Sequence, residues 1–195
     1  AKKIFISYED IEGISDKHKN KIIIIGNILR EKILNNSQVE KNETNKDLNI
    51  LVLGGSQAAK IFAELLPDIF IECKKNMINF KIYQQCLNEQ KLNLQKKYEK
   101  NGINYELFSF TFDILKYYNL SNLVITRAGS SALAELLNCK IPIISVPLPS
   151  SSENHQLKNA QYFKKKGYGF MIEEKNIKKE LFNLLQSMHK DKSIL

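Results

Sequence analysis

NLVITRAGSSALAELLNCKIPIISVPLPSSSENHQLKNA, residues 122–160, alternates short apolar strands with small-residue turns and helical patterns. Asn122 to Thr126 is a β-type apolar run ending at Arg127-Ala128-Gly129-Ser130-Ser131. The helix opened there has Leu133, Ala134, Leu136 and Leu137 as its apolar positions. A strand-to-helix turn of small residues leaves backbone N–H groups unpaired. Together they amount to roughly half a positive charge, so Gly129, Ser130 and Ser131 are candidates for holding an anion such as a phosphate. Gly-Ser-Ser is also an ordinary helix start, and by itself the turn supports either reading.

A second turn of the same kind lies upstream. Leu48 to Leu53 reads as a buried parallel strand, Gly54-Gly55 as a glycine turn, and Ser56-Gln57 as the start of a helix with a stop expected near Pro67. Two strand–glycine–helix units place a ligand site at the carboxyl ends of parallel strands. Gly54 and Gly55 would let a ligand approach the backbone, and the Ser56 hydroxyl could donate to a phosphate oxygen. Neither turn is a Walker loop or a GxGxxG fingerprint, which argues against an ordinary ATPase or dehydrogenase.

Between and around these turns the same unit recurs. Strands are expected at Lys3–Ser7, Lys21–Ile25, Phe80–Tyr83, Tyr105–Phe108, Ile143–Val146 and Phe170–Ile172. Helices are expected near 57–72, 89–100, 112–118, 154–166 and 176–188, and Asn35–Asp47 reads as a polar loop or linker. The alternation predicts an α/β fold, a Rossmann-like parallel sheet flanked by helices. At 195 residues the chain accommodates one such domain with a full core.

Composition narrows the function classes. No apolar run approaches the length that spans a bilayer. The three cysteines, Cys73, Cys86 and Cys139, lack metal or disulfide spacing and fit a reducing cytoplasm. The net charge of +8 comes from dispersed lysines rather than a basic stripe, and neither an RNA-binding aromatic motif nor a helix-turn-helix accompanies them, so nucleic acid is not an expected partner. Arg30 and Arg127 are the only arginines, and both fall in motif-like loops where a planar fork for phosphate or carboxylate is useful.

The segments IIIIGNILRE, ILVLGGSQAAKIF, LVITRAGSSALAELLNCKIPIISVPLP and ENHQLKNAQYF, in this order and spacing, resemble the C-terminal half of the MurG family of bacterial N-acetylglucosaminyltransferases. The resemblance covers nearly the whole chain. It implies the C-terminal, donor-binding domain of a GT-B glycosyltransferase, acting on UDP-N-acetylglucosamine and a lipid-linked muramyl-pentapeptide in peptidoglycan synthesis. By that resemblance, residues 1–20 are the end of an N-terminal domain with its connector, and 21–195 are the donor-binding domain. The acceptor domain, with the general base, would lie outside this sequence.

The resemblance assigns roles residue by residue. Ser56, with Gly54 and Gly55, would contact the diphosphate; Arg30 would reach the donor; Glu135 would hold the two ribose hydroxyls. Thr111 falls where backbone reads the uracil edge, His155 and Gln156 where paired polar residues meet the sugar, and Asn159 lies on the same helix. The chain departs from the family at Ile28, where proline is usual, at Ala58, where glycine is usual, and at His155, where glutamine is common. No metal site and no cofactor are expected, since no Asp-x-Asp motif occurs; the two helix N-termini and Arg30 would stabilise the leaving diphosphate. The family's setting implies a bacterial cytoplasmic protein, peripheral on the inner face of the membrane. The alternatives are a non-catalytic or partner-dependent UDP-sugar-binding module, and another GT-B-like enzyme such as a UDP-sugar epimerase, whose catalytic acids and histidine have no evident place here.

Overall fold

The computed structural model describes residues 1–9, 13–35 and 47–194, with backbone alone at 55–59 and 192. Its main sheet has six strands: β3 (Leu48–Leu53), β4 (Phe80–Gln85), β5 (Asn104–Phe108), β6 (Leu123–Thr126), β7 (Ile143–Ser145) and β8 (Phe170–Met171). Their spatial order is β5-β4-β3-β6-β7-β8, and every pairing is parallel. A smaller parallel sheet pairs β1 (Ile4–Ile6) with β2 (Ile22–Ile24). The helices are α1 (Glu31–Asn35), α2 (Gly55–Lys75), α3 (Asn88–Lys100), α4 (Ile114–Leu120), α5 (Ser130–Asn138), α6 (His155–Lys165) and α7 (Ile177–Lys190).

The period of two in β3 distributes the core. Ile50 and Val52 join a cluster with Phe62, Leu66 and Phe70 of α2, Tyr98 of α3 and Leu181 of α7 on one face. Leu51 points the other way, into a cluster with Ile33 of α1, Tyr118 of α4, Leu133 and Leu136 of α5 and Phe163 of α6. A strand buried on both faces explains why Leu48–Leu53 is almost continuously apolar. Asn122 aligns the neighbouring strand: its carbonyl oxygen accepts from the Asn49 N–H at 2.9 Å while its amide donates to the Asp47 carbonyl.

Most expected elements appear with ends displaced by one or two residues. Of the two expectations for α2, the stop near Pro67 fails and the helix over 57–72 holds, since α2 runs through Pro67 to Lys75. A mid-helix proline costs about 3 kcal/mol. Burying Phe62, Leu66, Ile69 and Phe70 on the same helix contributes roughly 1.5–3 kcal/mol each, which outweighs that cost. The 57–72 helix therefore extends rather than breaks. Most of the polar stretch read as a loop between Asn35 and Asp47 lies outside the described residues.

Arg127 joins the sheet to three separate elements. It is buried, its guanidinium carbon lies 5.0 Å from the Phe62 ring centroid, and it donates to the Val146 carbonyl at 3.2 Å and the Pro147 carbonyl at 3.4 Å. Its Nη2 also pairs with Glu174, in the 3-10 turn Glu174–Asn176. The fork that the sequence offered to a ligand is thus spent on the protein's own frame. Another tight point is Gly169, before β8, where an added Cβ would stand 2.6 Å from the Ile143 carbonyl oxygen.

Arg127→Ala leaves Glu174 without its cation and the two carbonyls without donors, and we expect a loss of about 3 kcal/mol in unfolding free energy by denaturant titration, at the low end for a buried pair because Glu174 is partly exposed. Gly169→Ala forces β8 away from β7, with an expected loss of about 1–3 kcal/mol. An unchanged denaturation midpoint for Gly169→Ala would show that the β7–β8 approach tolerates a methyl group.

Candidate functional site

Strand order reverses between β3 and β6: the chain moves outward through β4 and β5 on one side and through β7 and β8 on the other. The connections leaving β3 and β6 therefore diverge to opposite faces and open a crevice at the strands' carboxyl ends. Both sequence turns fall there. Gly54 caps the 21-residue α2 with φ −117° and ψ −22°, and Gly129 caps α5 with φ −69° and ψ 133°. Any residue can adopt these angles, so glycine serves room rather than backbone freedom. A Cβ built on Gly129 meets nothing within 4 Å. Neither cap carries a side-chain hydrogen bond to its helix. Ser56 sits in the first turn of α2.

Glu135, on α5 one helical turn and more past Ser130, carries the most defined polar geometry. Its side chain is 13% exposed, while that of Arg30, just before α1, is 62% exposed. Arg30 donates through Nε to Oε1 at 3.0 Å and through Nη2 to Oε2 at 2.9 Å. The Tyr118 hydroxyl donates to the same Oε2 at 3.2 Å. The bond to Glu135 raises the Arg30 pKa further above its ordinary value. Two residues with separate expected duties on a donor are therefore clasped to one another. With one partner so exposed, the pair contributes on the order of 1 kcal/mol or less, so a ligand can open it at little cost.

The remaining expected residues lie in the loops and helix starts that follow the strands. Ser131 is exposed, and the Ser130 hydroxyl donates to Asn27 Oδ1 at 3.4 Å, whose amide donates to the Tyr8 hydroxyl at 2.6 Å. The Thr111 hydroxyl accepts from the Asp113 N–H at 3.0 Å, shaping the β5–α4 loop, on which Phe110 and Phe112 stand exposed edge to face. His155 is exposed, and its Nδ1 donates to the Ser152 carbonyl at 2.7 Å, which fixes the ring at the start of α6. The Gln156 side-chain oxygen Oε1 accepts from the Leu148 N–H at 3.1 Å. Asn159 donates to the Ala128 carbonyl at 3.0 Å and so ties α6 to the β6–α5 turn. Glu153 and Asn154, before α6, both have left-handed backbones with φ 48° and 55°. Two such residues in succession, one of them a glutamate, store strain of about 1 kcal/mol or more at the bend that presents His155 and Gln156.

Three contributors were not singled out from the sequence as site residues. Gln85 ends β4, accepts from the Gly54 N–H at 3.2 Å and donates to the Ser109 carbonyl at 3.2 Å, so it bridges the glycine turn to the Thr111 loop. Tyr118 buttresses Glu135, and Asn27 links Ser130 to Tyr8. The signal for Gln85 was a pair of glutamines closing an apolar strand. Tyr118 had none, since an aromatic residue on a helix reads as core.

Comparison with known proteins places the fold in a family. A family model described as "Glycosyltransferase family 28 C-terminal domain" matches residues 49–194. The chain is 39% identical over 189 residues to a Pelagibacter ubique protein named UDP-N-acetylglucosamine–N-acetylmuramyl-(pentapeptide) pyrophosphoryl-undecaprenol N-acetylglucosamine transferase, covering 95% of this chain and 51% of that one. It is 39% identical over 180 residues to the protein of the same name from Rickettsia canadensis, covering 91% and 51%. The chain thus spans about half the length of the curated relatives it matches. The crystal structure of Acinetobacter baumannii MurG superposes with a TM-score of 0.79 at 23% identity, over 100% of this chain and 53% of that one, which shows the shared GT-B fold. The parallel six-stranded sheet, its crevice and the matching family model lead to one conclusion: the chain belongs to glycosyltransferase family 28, as its C-terminal domain.

Proposed function

We propose that this chain is the donor-binding part of an inverting glycosyltransferase that moves N-acetylglucosamine from UDP-N-acetylglucosamine to a lipid-linked muramyl-pentapeptide in peptidoglycan synthesis, and thereby serves cell shape and division. The observation that carries the reading is the convergence of two uncapped helix N-termini and the Glu135 carboxylate at the switch point of a parallel sheet. The names of the relatives support the donor and the acceptor.

In this reading the diphosphate lies against the first turns of α2 and α5, with Gly54, Gly55 and Ser56 on one side and Gly129, Ser130 and Ser131 on the other. Glu135 accepts from the ribose hydroxyls, as a carboxylate with two oxygens is suited to do. Thr111 presents backbone to the base, and His155 and Gln156 face the sugar, with Asn159 bracing the turn beneath. The acceptor hydroxyl attacks the anomeric carbon, the bond to the diphosphate breaks, and negative charge grows on the departing UDP. Preorganised N–H groups stabilise that charge, and Arg30, once released from Glu135, is within reach to add its own. The general base belongs to an acceptor-binding domain.

Residues 1–20 are assigned to the end of that domain and the connector, and residues 21–195 to the donor domain. β1 and β2 support the presence of a neighbour: Phe5 is 61% exposed and Ile24 is also exposed on a small parallel sheet, a type normally covered on both faces, and Ile25 and Ile28, in the segment after β2, are exposed too. The same surface favours the second reading, a UDP-sugar-binding module that turns over only with a separate acceptor-binding chain. Among the described residues no helix is long and apolar enough to cross a membrane. The site of action in this reading is the cytoplasmic face of the membrane, where a lipid-linked acceptor would be met.

Calorimetric titration of the chain with UDP-N-acetylglucosamine, against UDP-glucose and ATP, tests the reading. Selective binding of the first is expected, and equal binding of all three would overturn it. Glu135→Ala removes charge-assisted hydrogen bonds to the ribose and is expected to weaken binding about tenfold to a hundredfold. A comparable loss is expected for Ser56→Ala, and unchanged affinity in both variants would sink the site assignment.

A further inference from the structure

We propose that Tyr118 is a positioning residue for nucleotide recognition, holding the Glu135 carboxylate in place for a vicinal diol while Arg30 occupies the diol's place until the nucleotide arrives. This rests on the donor-site reading above and deepens it. Tyr118 lies on α4, is 2% exposed, and its ring sits in the core cluster beneath α5. A phenol hydroxyl so buried needs a partner inside the protein, and it has Glu135 Oε2 at 3.2 Å. Burial, with the Glu135 charge adding to it, pushes the Tyr118 pKa upward, so the hydroxyl remains a donor.

The two groups on Glu135 differ in permanence. Tyr118 reaches the carboxylate from the core and has nowhere else to go. Arg30 reaches it from solvent, on a long side chain that is mostly exposed. Its Nε and Nη2 present two parallel donors, one to each oxygen at 3.0 and 2.9 Å, which is the pattern of donors that two neighbouring ribose hydroxyls would present. A carboxylate has about four lone-pair positions, so the Tyr118 bond and a pair of ribose bonds can coexist. Arrival of a ribonucleotide exchanges the guanidinium for the diol and leaves the Tyr118 bond intact. Without the phenol hydroxyl, the carboxylate is free to rotate and follow Arg30 toward solvent.

The test is calorimetric titration of the wild-type chain, Tyr118→Phe and Glu135→Ala with UDP and 2′-deoxy-UDP. The wild type is expected to prefer UDP by about tenfold, the worth of one charge-assisted hydrogen bond. Tyr118→Phe keeps the ring in the core, and its preference for UDP is expected to shrink toward unity, with UDP losing about tenfold more affinity than 2′-deoxy-UDP, which has only the 3′ hydroxyl to lose. An unchanged far-ultraviolet circular dichroism spectrum of the variant is the control for folding. A Tyr118→Phe variant that weakens both nucleotides equally, or one that keeps the full preference while Glu135→Ala loses it, overturns this inference alone. A wild type that binds neither nucleotide, or shows no preference between them, overturns the donor-site reading and this inference with it.

Discussion

The reversal of strand order between β3 and β6 is the constraint on which the rest of the site depends. Two adjacent parallel strands that send their following helices to opposite faces cannot close the space above their carboxyl ends. Here the helices are α2 and α5, and their first turns stand at the carboxyl ends of β3 and β6. The positive ends of both helices therefore converge without any cationic side chain being buried for the purpose. The apolar clusters on the two faces of β3 hold that geometry, since α2 is anchored by Phe62, Leu66 and Phe70 and α5 by Leu133 and Leu136.

Around this opening, polar side chains act mainly as braces between loops. Gln85 spans the glycine turn and the β5–α4 loop, Asn159 ties α6 to the β6–α5 turn, and Arg127 joins β6 to α2, to the end of β7 and to Glu174. Such cross-links matter because loops lack the regular hydrogen-bond ladders that stiffen strands and helices. Each brace fixes one loop relative to another by a directional bond, which is what a site assembled from four connections requires. The strained Glu153–Asn154 bend persists for the same reason: α6 is held at its base by Asn159 and Phe163.

Glu135 is held from two sides. Its carboxylate is supported from below by a buried phenol and covered from above by an exposed guanidinium, so it is oriented and shielded without being sealed. The exposed β1–β2 residues are a separate feature. Among the described residues their apolar side chains occupy a parallel sheet of two strands, and parallel strands are normally stabilised by cover on both faces.

The sequence by itself determined the order of strands and helices, the location of both glycine turns and the identity of the family. These depend on local periodicity, on small residues at fixed offsets from apolar runs, and on motif spacing, all of which are properties of contiguous segments. It misjudged Pro67, because a local helix-breaking cost is outweighed only by burial against α3, α7 and the sheet. Tertiary structure alone decided that Arg30 clasps Glu135 across 105 residues, that Arg127 serves Glu174 rather than the crevice, and that Tyr118 is a brace rather than filler. A residue type announces which bonds a side chain can make. Which of them it makes depends on partners that only the folded sheet brings within hydrogen-bonding distance.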